Sequence, residues 1–162
     1  MFVEQESIDV YLGLDVGKTG HHAVAMNLAR KKLKDRALPQ GETRIWEVLS
    51  GLPDHGRVMV IVYQHATIGV LPVAVARSAG AEVGCSPGLT MHRCADLHPG
   101  QAKTDARDAA ISAEAARTMP HTLRSVDLDD EALAELGVLF GFVDDLVSQI
   151  TALRCPLRHA AR

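Results

Sequence analysis

Short runs of apolar residues and stretches of helical spacing alternate along this chain, and the order in which they do so predicts its elements. Val10 to Leu14, Ala23 to Asn27 and Lys32 to Leu38 read as strands, the second of them entered from the turn Gly17-Lys18-Thr19-Gly20. Their short connections imply antiparallel neighbours. Between Glu42 and Leu52 the apolar positions shift to Ile45, Trp46, Val48, Leu49 and Leu52, a helical pattern closed by Gly51 and Pro53. Val58 to Val62 is wholly aliphatic, as a strand buried on both faces requires. Leu71 to Ser78 then reads as a crossover helix with Pro72 in its first turn, closed by Gly80, and Ala81 to Cys85 as the next strand. The resulting order is βββαβαβ, in which the strand-helix-strand part builds a parallel sheet.

The second half is less regular. Leu89 to Gln101 shows no sustained period and carries His92, Arg93, His98 and Pro99-Gly100, which predicts a mobile loop leading into a helix around Asp105 and Asp108. From Asp129 to about Cys155 an apolar stripe through Leu133, Leu136, Leu139, Phe142, Leu146, Ile150 and Leu153 predicts a long helix that Pro156 stops. Gly137 and Gly141 each cost that helix about 1 kcal/mol against alanine, so packing has to offset them. The stripe suits an assembly interface, giving a domain over residues 8–125 and a helical extension over 126–157.

With 162 residues, 47% hydrophobic and only 4% aromatic, the chain fits one α/β domain whose interior is built from Ala, Val and Leu. A net charge of −3 gives no overall attraction to nucleic acid, although Arg30-Lys31-Lys32-Leu33-Lys34-Asp35-Arg36 concentrates positive charge locally. Cys85, Cys94 and Cys155 form no CxxC pair and no even framework, which implies a reducing, cytoplasmic setting. No apolar run approaches the roughly 20 residues of a membrane span, and the acidic amino terminus lacks the features of a signal peptide.

Candidate chemistry centres on three acids. Asp105 and Asp108, three apart on a helix, share a face about 5–6 Å apart, and Asp15 ends the first strand at its carboxyl edge. Such an acidic pocket suits a divalent metal ion. Lys103 and Arg107, beside the pair, serve equally well as phosphate contacts or as partners for the acids. Cys85, His92, Cys94 and His98 fit no common zinc spacing.

Leu14-Asp15-Val16-Gly17-Lys18 followed by His22, the Ala66-Thr67-Ile68-Gly69 element and Lys103-Thr104-Asp105-Ala106-Arg107-Asp108-Ala109 together resemble the amino-terminal RuvC-like domain of the Asp-Glu-Asp-Asp transposases of insertion sequences, related to the Piv DNA invertases. The resemblance runs from about Ile8 to the end. It implies a ribonuclease H-like α/β fold with a mixed five-stranded sheet flanked by helices. It also implies DNA cleavage and transfer at magnesium held by four acids, of which Asp15, Asp105 and Asp108 match three. Lys18, Lys103 and Arg107 become expected nucleic-acid contacts. DNA, an element-encoded guide RNA and further copies of the chain are the implied partners.

Two departures accompany this resemblance. Tyr63 stands at the place of the remaining acid, and a phenol with an ordinary pKa near 10 is a poor magnesium ligand, so the site loses charge. No segment matches the family's serine-bearing carboxy-terminal domain, so the chain reads as a truncated, catalytically incomplete copy. A non-catalytic nucleic-acid or subunit-binding fragment is the rival reading. Asp15-Val16-Gly17-Lys18-Thr19-Gly20 also evokes the phosphate loop of actin-like ATPases, which would require a second nucleotide-binding domain.

Overall fold

The computed structural model describes residues 8–17, 19–63, 69–96 and 104–126, together with Leu139, Leu146, Val147 and Ile150. The chain divides into two units, Met1–Asp127 and Leu128–Arg162. In the second unit the four described residues are helical and exposed; the remainder of the expected long helix lies outside the described residues.

The first unit is built on β1 (Val10–Val16), β2 (Gly20–Asn27), β3 (Lys32–Pro39), β4 (Val58–Val62), β5 (Glu82–Cys85) and β6 (Arg124–Ser125) in the sheet order β3-β2-β1-β4-β5-β6. The first three strands form an antiparallel meander, β4 and β5 continue in parallel from β1, and β6 closes the edge antiparallel to β5. The sheet therefore has six strands rather than the five expected. Two residues, Arg124 and Ser125, carry no readable alternation; they pair with Cys85 and Gly84 along the open edge of β5.

Helix α1 (Glu42–Leu49) turns Ile45, Val48 and Leu49 inward but leaves Trp46, counted in the apolar pattern, 44% exposed. Helix α2 (Val70–Ser78) makes the crossover from β4 to β5 and ends at Gly80 with φ +75. There Ala81 N–H donates to the Ala76 carbonyl and Gly80 N–H to that of Arg77, the paired bonds of a Schellman cap. Both helices pack on each other, α1 against β3 and α2 against β4 and β5.

The segment expected as a loop is a helix, α3 (Gly88–Asp96), for most of its length. Pro87 precedes it, and Met91, Cys94 and Ala95 form a narrow stripe against Ile111, Ala115 and Met119. Only two turns are apolar, too few for the period to register in the sequence. Helix α4 (Asp105–Thr118) starts at Thr104, whose Oγ1 accepts from the Arg107 N–H at 3.2 Å. Its Ala109, Ala113 and Ala116 settle on the sheet among Tyr11, Val24, Met26, Met59 and Ile61.

Candidate functional site

Strand alternation decides which side chains of β1 reach α4. Tyr11, Gly13 and Asp15 share one face, and a Cβ built at Gly13 would collide with the Ala109 carbonyl oxygen and lie 2.8 Å from the Ala113 nitrogen. Glycine is thus required for α4 to rest directly on β1. That approach carries Asp108, next to Ala109, toward Asp15, two residues beyond Gly13.

Asp15, Asp105 and Asp108 line one open cleft of about 360 Å³, together with Tyr63, Met91, His92, Ala95, Arg107 and Ser112. Asp15 enters from β1, half-buried; Asp108, half-buried, and Asp105, exposed, enter from the first turn of α4. Tyr63 directly follows β4. Because Leu14 and Val62 are register partners in parallel strands, Asp15 and Tyr63 leave the sheet side by side at its carboxyl edge. The phenol lies over Gly88, where an added Cβ would be 3.4 Å from the ring. Asp15 and the Asp105/Asp108 pair, far apart in sequence, and the tyrosine standing at the fourth position therefore meet in one place.

The cleft is also held from its α3 side. The Arg107 guanidinium donates to the Ala95 carbonyl at 3.1 Å, and Ser112 Oγ donates to the Asp108 carbonyl at 3.0 Å and reaches Met91 Sδ at 3.5 Å. Met91, Ala95 and Ser112 are site residues that the sequence does not announce, and His92 reads there only as a loop residue that fits no zinc spacing; the packing of α3 beside α4 brings them to the cleft, and Pro87 followed by Met91, Cys94 and Ala95 at helical spacing is the faint trace of that helix. Burial pushes up the thiol pKa of Cys94, at the α3–α4 contact, and of Cys85, which disfavours their thiolate forms. Lys18, Lys103, Gln64, His65 and His98 lie outside the described residues.

Beside Asp15 on the same sheet face stands its register partner on β2, His22. The His22 Nε2–H donates to Asp35 Oδ1 at 2.7 Å, and Lys32 Nζ donates to Asp35 Oδ2 at 2.7 Å. Asp35 is held below the usual carboxylate range first by the Lys32 hydrogen bond and then by that from His22.

Carboxylate oxygens on two rigid elements are hard donors of the kind magnesium takes. Among the described residues, however, no three His, Cys, Asp or Glu side chains stand close enough to form a finished metal cage. The donor set fits a divalent cation in kind, with the acids as walls of a cleft.

A family model described as a transposase, the DEDD type of IS110 elements, matches residues 12–161. The chain belongs to this transposase family. It is 54% identical over 149 residues to the 43.6 kDa protein of insertion element IS110 from Streptomyces coelicolor, covering 91% of this chain and 37% of that protein. It is 33% identical over 156 residues to the 42 kDa protein of insertion element IS900 from Mycobacterium paratuberculosis, covering 94% of this chain and 39% of that protein. This transposase-family chain thus spans about two-fifths of the length of these relatives. Among solved structures, T. thermophilus RuvC in complex with a Holliday junction substrate is similar at 14% identity with a TM-score of 0.50, covering 72% of this chain and 100% of that one. The fold is RuvC-like, within the ribonuclease H-like class. Among the described residues no helix is long and apolar enough to cross a membrane.

Proposed function

We propose that this chain is the metal-binding domain of a DNA transposase, with Asp15, Asp105 and Asp108 as ligands at the cleft where phosphodiester bonds are cut and joined. The observation that carries this reading is the convergence of those three carboxylates, from β1 and α4, on one cleft of a RuvC-like fold. Magnesium bound there would stabilise charge on the oxygens around phosphorus. The chain's own part is to present hard oxygens, to fix α4 against β1 through Gly13, and to place Arg107 at the cleft wall, where its guanidinium suits a phosphate oxygen. DNA is the partner this reading requires, in keeping with the Holliday junction held by the RuvC neighbour. The family resemblance extends the proposal to an element-encoded guide RNA and to assembly with further copies of the chain.

Tyr63 favours a second reading, a domain that binds nucleic acid without cutting it. Its phenol occupies the strand end beside Asp15 where a carboxylate would add a fourth hard ligand. One experiment addresses both. Mn²⁺ is titrated into the purified chain by electron paramagnetic resonance, and nicking of supercoiled DNA is followed in parallel. The first reading expects Mn²⁺ binding that weakens about tenfold or more, roughly 1.4 kcal/mol or beyond, in Asp15→Asn and Asp108→Asn, with nicking that disappears in both. Mn²⁺ binding with no nicking, restored by Tyr63→Asp, selects the second. Mn²⁺ affinity indifferent to both asparagine variants would remove the metal site altogether.

A further inference from the structure

On the opposite flank of α4 from the acidic cleft lies a second open cleft, also of about 360 Å³, between the helix and the β2–β3 hairpin. Arg30, Lys32 and Arg107 stand in its wall above a floor that includes Met26 and Ala110. Arg107 belongs to the walls of both clefts, so the two meet across the first turns of α4. From these facts we infer that the second cleft is a seat for the phosphodiester backbone of a nucleic-acid strand, which passes over Arg107 to reach the acids.

Charge supports that occupant. The carboxylates in this wall are Asp35 and Glu114. Asp35 accepts from Lys32 and His22, and Glu114 is gripped by Arg117 on its own helix at 2.8 Å, with Arg30 more distant at 3.5 Å. Three guanidinium or ammonium groups of the wall therefore stand against two carboxylates, Arg117 neutralises Glu114 from beside the cleft, and Lys31 adds another exposed cation on the hairpin. In a chain of net charge −3 this is a local reversal of sign, the electrostatic footprint of a polyanion.

The backbone of the hairpin adds an independent argument. Arg30 has φ +63, the positive-φ residue other than glycine among the described residues. Its N–H donates to the Asn27 carbonyl at 2.9 Å and the Lys31 N–H to Asn27 Oδ1 at 2.9 Å, which fixes the turn in that shape. Glycine fits such a position with no steric cost, whereas a long side chain there is strained. The strain is accounted for if the side chain has work to do, and its guanidinium leans toward α4, 65% exposed to an incoming ligand.

This inference rests on the DNA-acting reading above but is tested apart from it. Fluorescein-labelled single-stranded DNA, duplex DNA and RNA of one sequence are titrated with the purified chain in chelator, so that the acid cleft holds no metal. Affinity is measured against salt, and the variants are Arg30→Gly, Lys32→Gln and their combination, with Arg44→Gln on α1 as control. The expected result is a roughly tenfold weaker Kd in the combined variant, a salt slope shallower by about 1 per cation removed, and an unchanged Arg44→Gln control. Arg30→Gly should melt no lower than the parent, which separates lost binding from lost folding. Weakening confined to one probe identifies the source of the backbone as DNA or RNA and upholds the seat. Unchanged affinity and slope in the combined variant, or no binding of any probe by the parent, overturns it, whereas the metal reading stands or falls on Mn²⁺ titration alone.

Discussion

Gly13 of β1 and Ala109 of α4 meet backbone to backbone, so closely that a methyl group at position 13 would strike the Ala109 carbonyl oxygen. This contact sets how near the helix bearing Asp105 and Asp108 comes to the strand bearing Asp15. Neither backbone has room to yield without shifting the other, because Ala109, Ala113 and Ala116 are all fully buried on the sheet. Gly13→Ala is therefore expected to cost about 1–3 kcal/mol of stability, read from denaturant melts. It should also weaken Mn²⁺ binding in the folded fraction, because α4 moves away from Asp15. An alanine variant with parental stability and parental Mn²⁺ affinity would show that this approach does not set the site.

Tyr63 and Asp15 leave adjoining parallel strands side by side. A carboxylate in place of the phenol would thus join the existing three at the cleft and raise its attraction for a divalent ion. Tyr63→Asp is expected to tighten Mn²⁺ binding by about tenfold, or 1.4 kcal/mol. Tyr63→Phe, which keeps the ring over Gly88 and removes only the hydroxyl, should leave it unaltered. Equal affinities in the parent, Asp and Phe proteins would mean that position 63 does not face the ion.

Asp35 joins two residues of the hairpin, accepting from Lys32 and His22. Its carboxyl is held low, by Lys32 first, so its folded pKa lies beneath the unfolded value near 3.9. Stability from this network is fully present above that unfolded value and is lost as pH falls through the folded one. Asp35→Asn should accordingly flatten the acid limb of a stability-versus-pH curve below about pH 4. At neutral pH the loss stays within about 1 kcal/mol, because the 37% exposed carboxylate is screened by solvent. An acid limb as steep in the variant as in the parent would assign the acid sensitivity to other carboxylates.

The order of elements through β5 was legible because most of them bury a continuous or periodic apolar run: Val58–Val62 has no polar residue at all, and Ile45, Val48 and Leu49 repeat at helical spacing, whereas β3 buries Leu38 alone. What escaped was local and short. α3 buries little apart from Cys94, and β6 is two residues paired along the edge of β5. At the cleft, Asp15, Asp105 and Asp108 were nameable from motif and spacing. Met91, His92 and Ser112 were not, since their place depends on α3 packing beside α4, a tertiary fact with no sequence period. The mutual position of the acids depends on Gly13, whose role emerges only once the helix is seen to rest on it.

His21 is 5% exposed on β2 between its register neighbours Val16 and Leu38, both buried, and neither ring nitrogen meets a hydrogen-bond partner among the described residues. Burial lowers its pKa below the ordinary value near 6.5, since a charged imidazole would be stranded in apolar surroundings. The unfolded chain then binds the proton more readily than the folded one, so stability declines as pH falls from about 6.5 toward the folded value. His21→Leu should abolish that decline and, by removing buried polar atoms that lack partners, raise stability at pH 7 by about 1–2 kcal/mol. Denaturant melts of both proteins at several values between about pH 5 and 8 give the comparison. If the parent's slope across this range survives intact in the leucine variant, or if leucine destabilises at every pH, His21 has a hydrogen-bonding role in the folded protein and the cost assigned here to its burial is wrong.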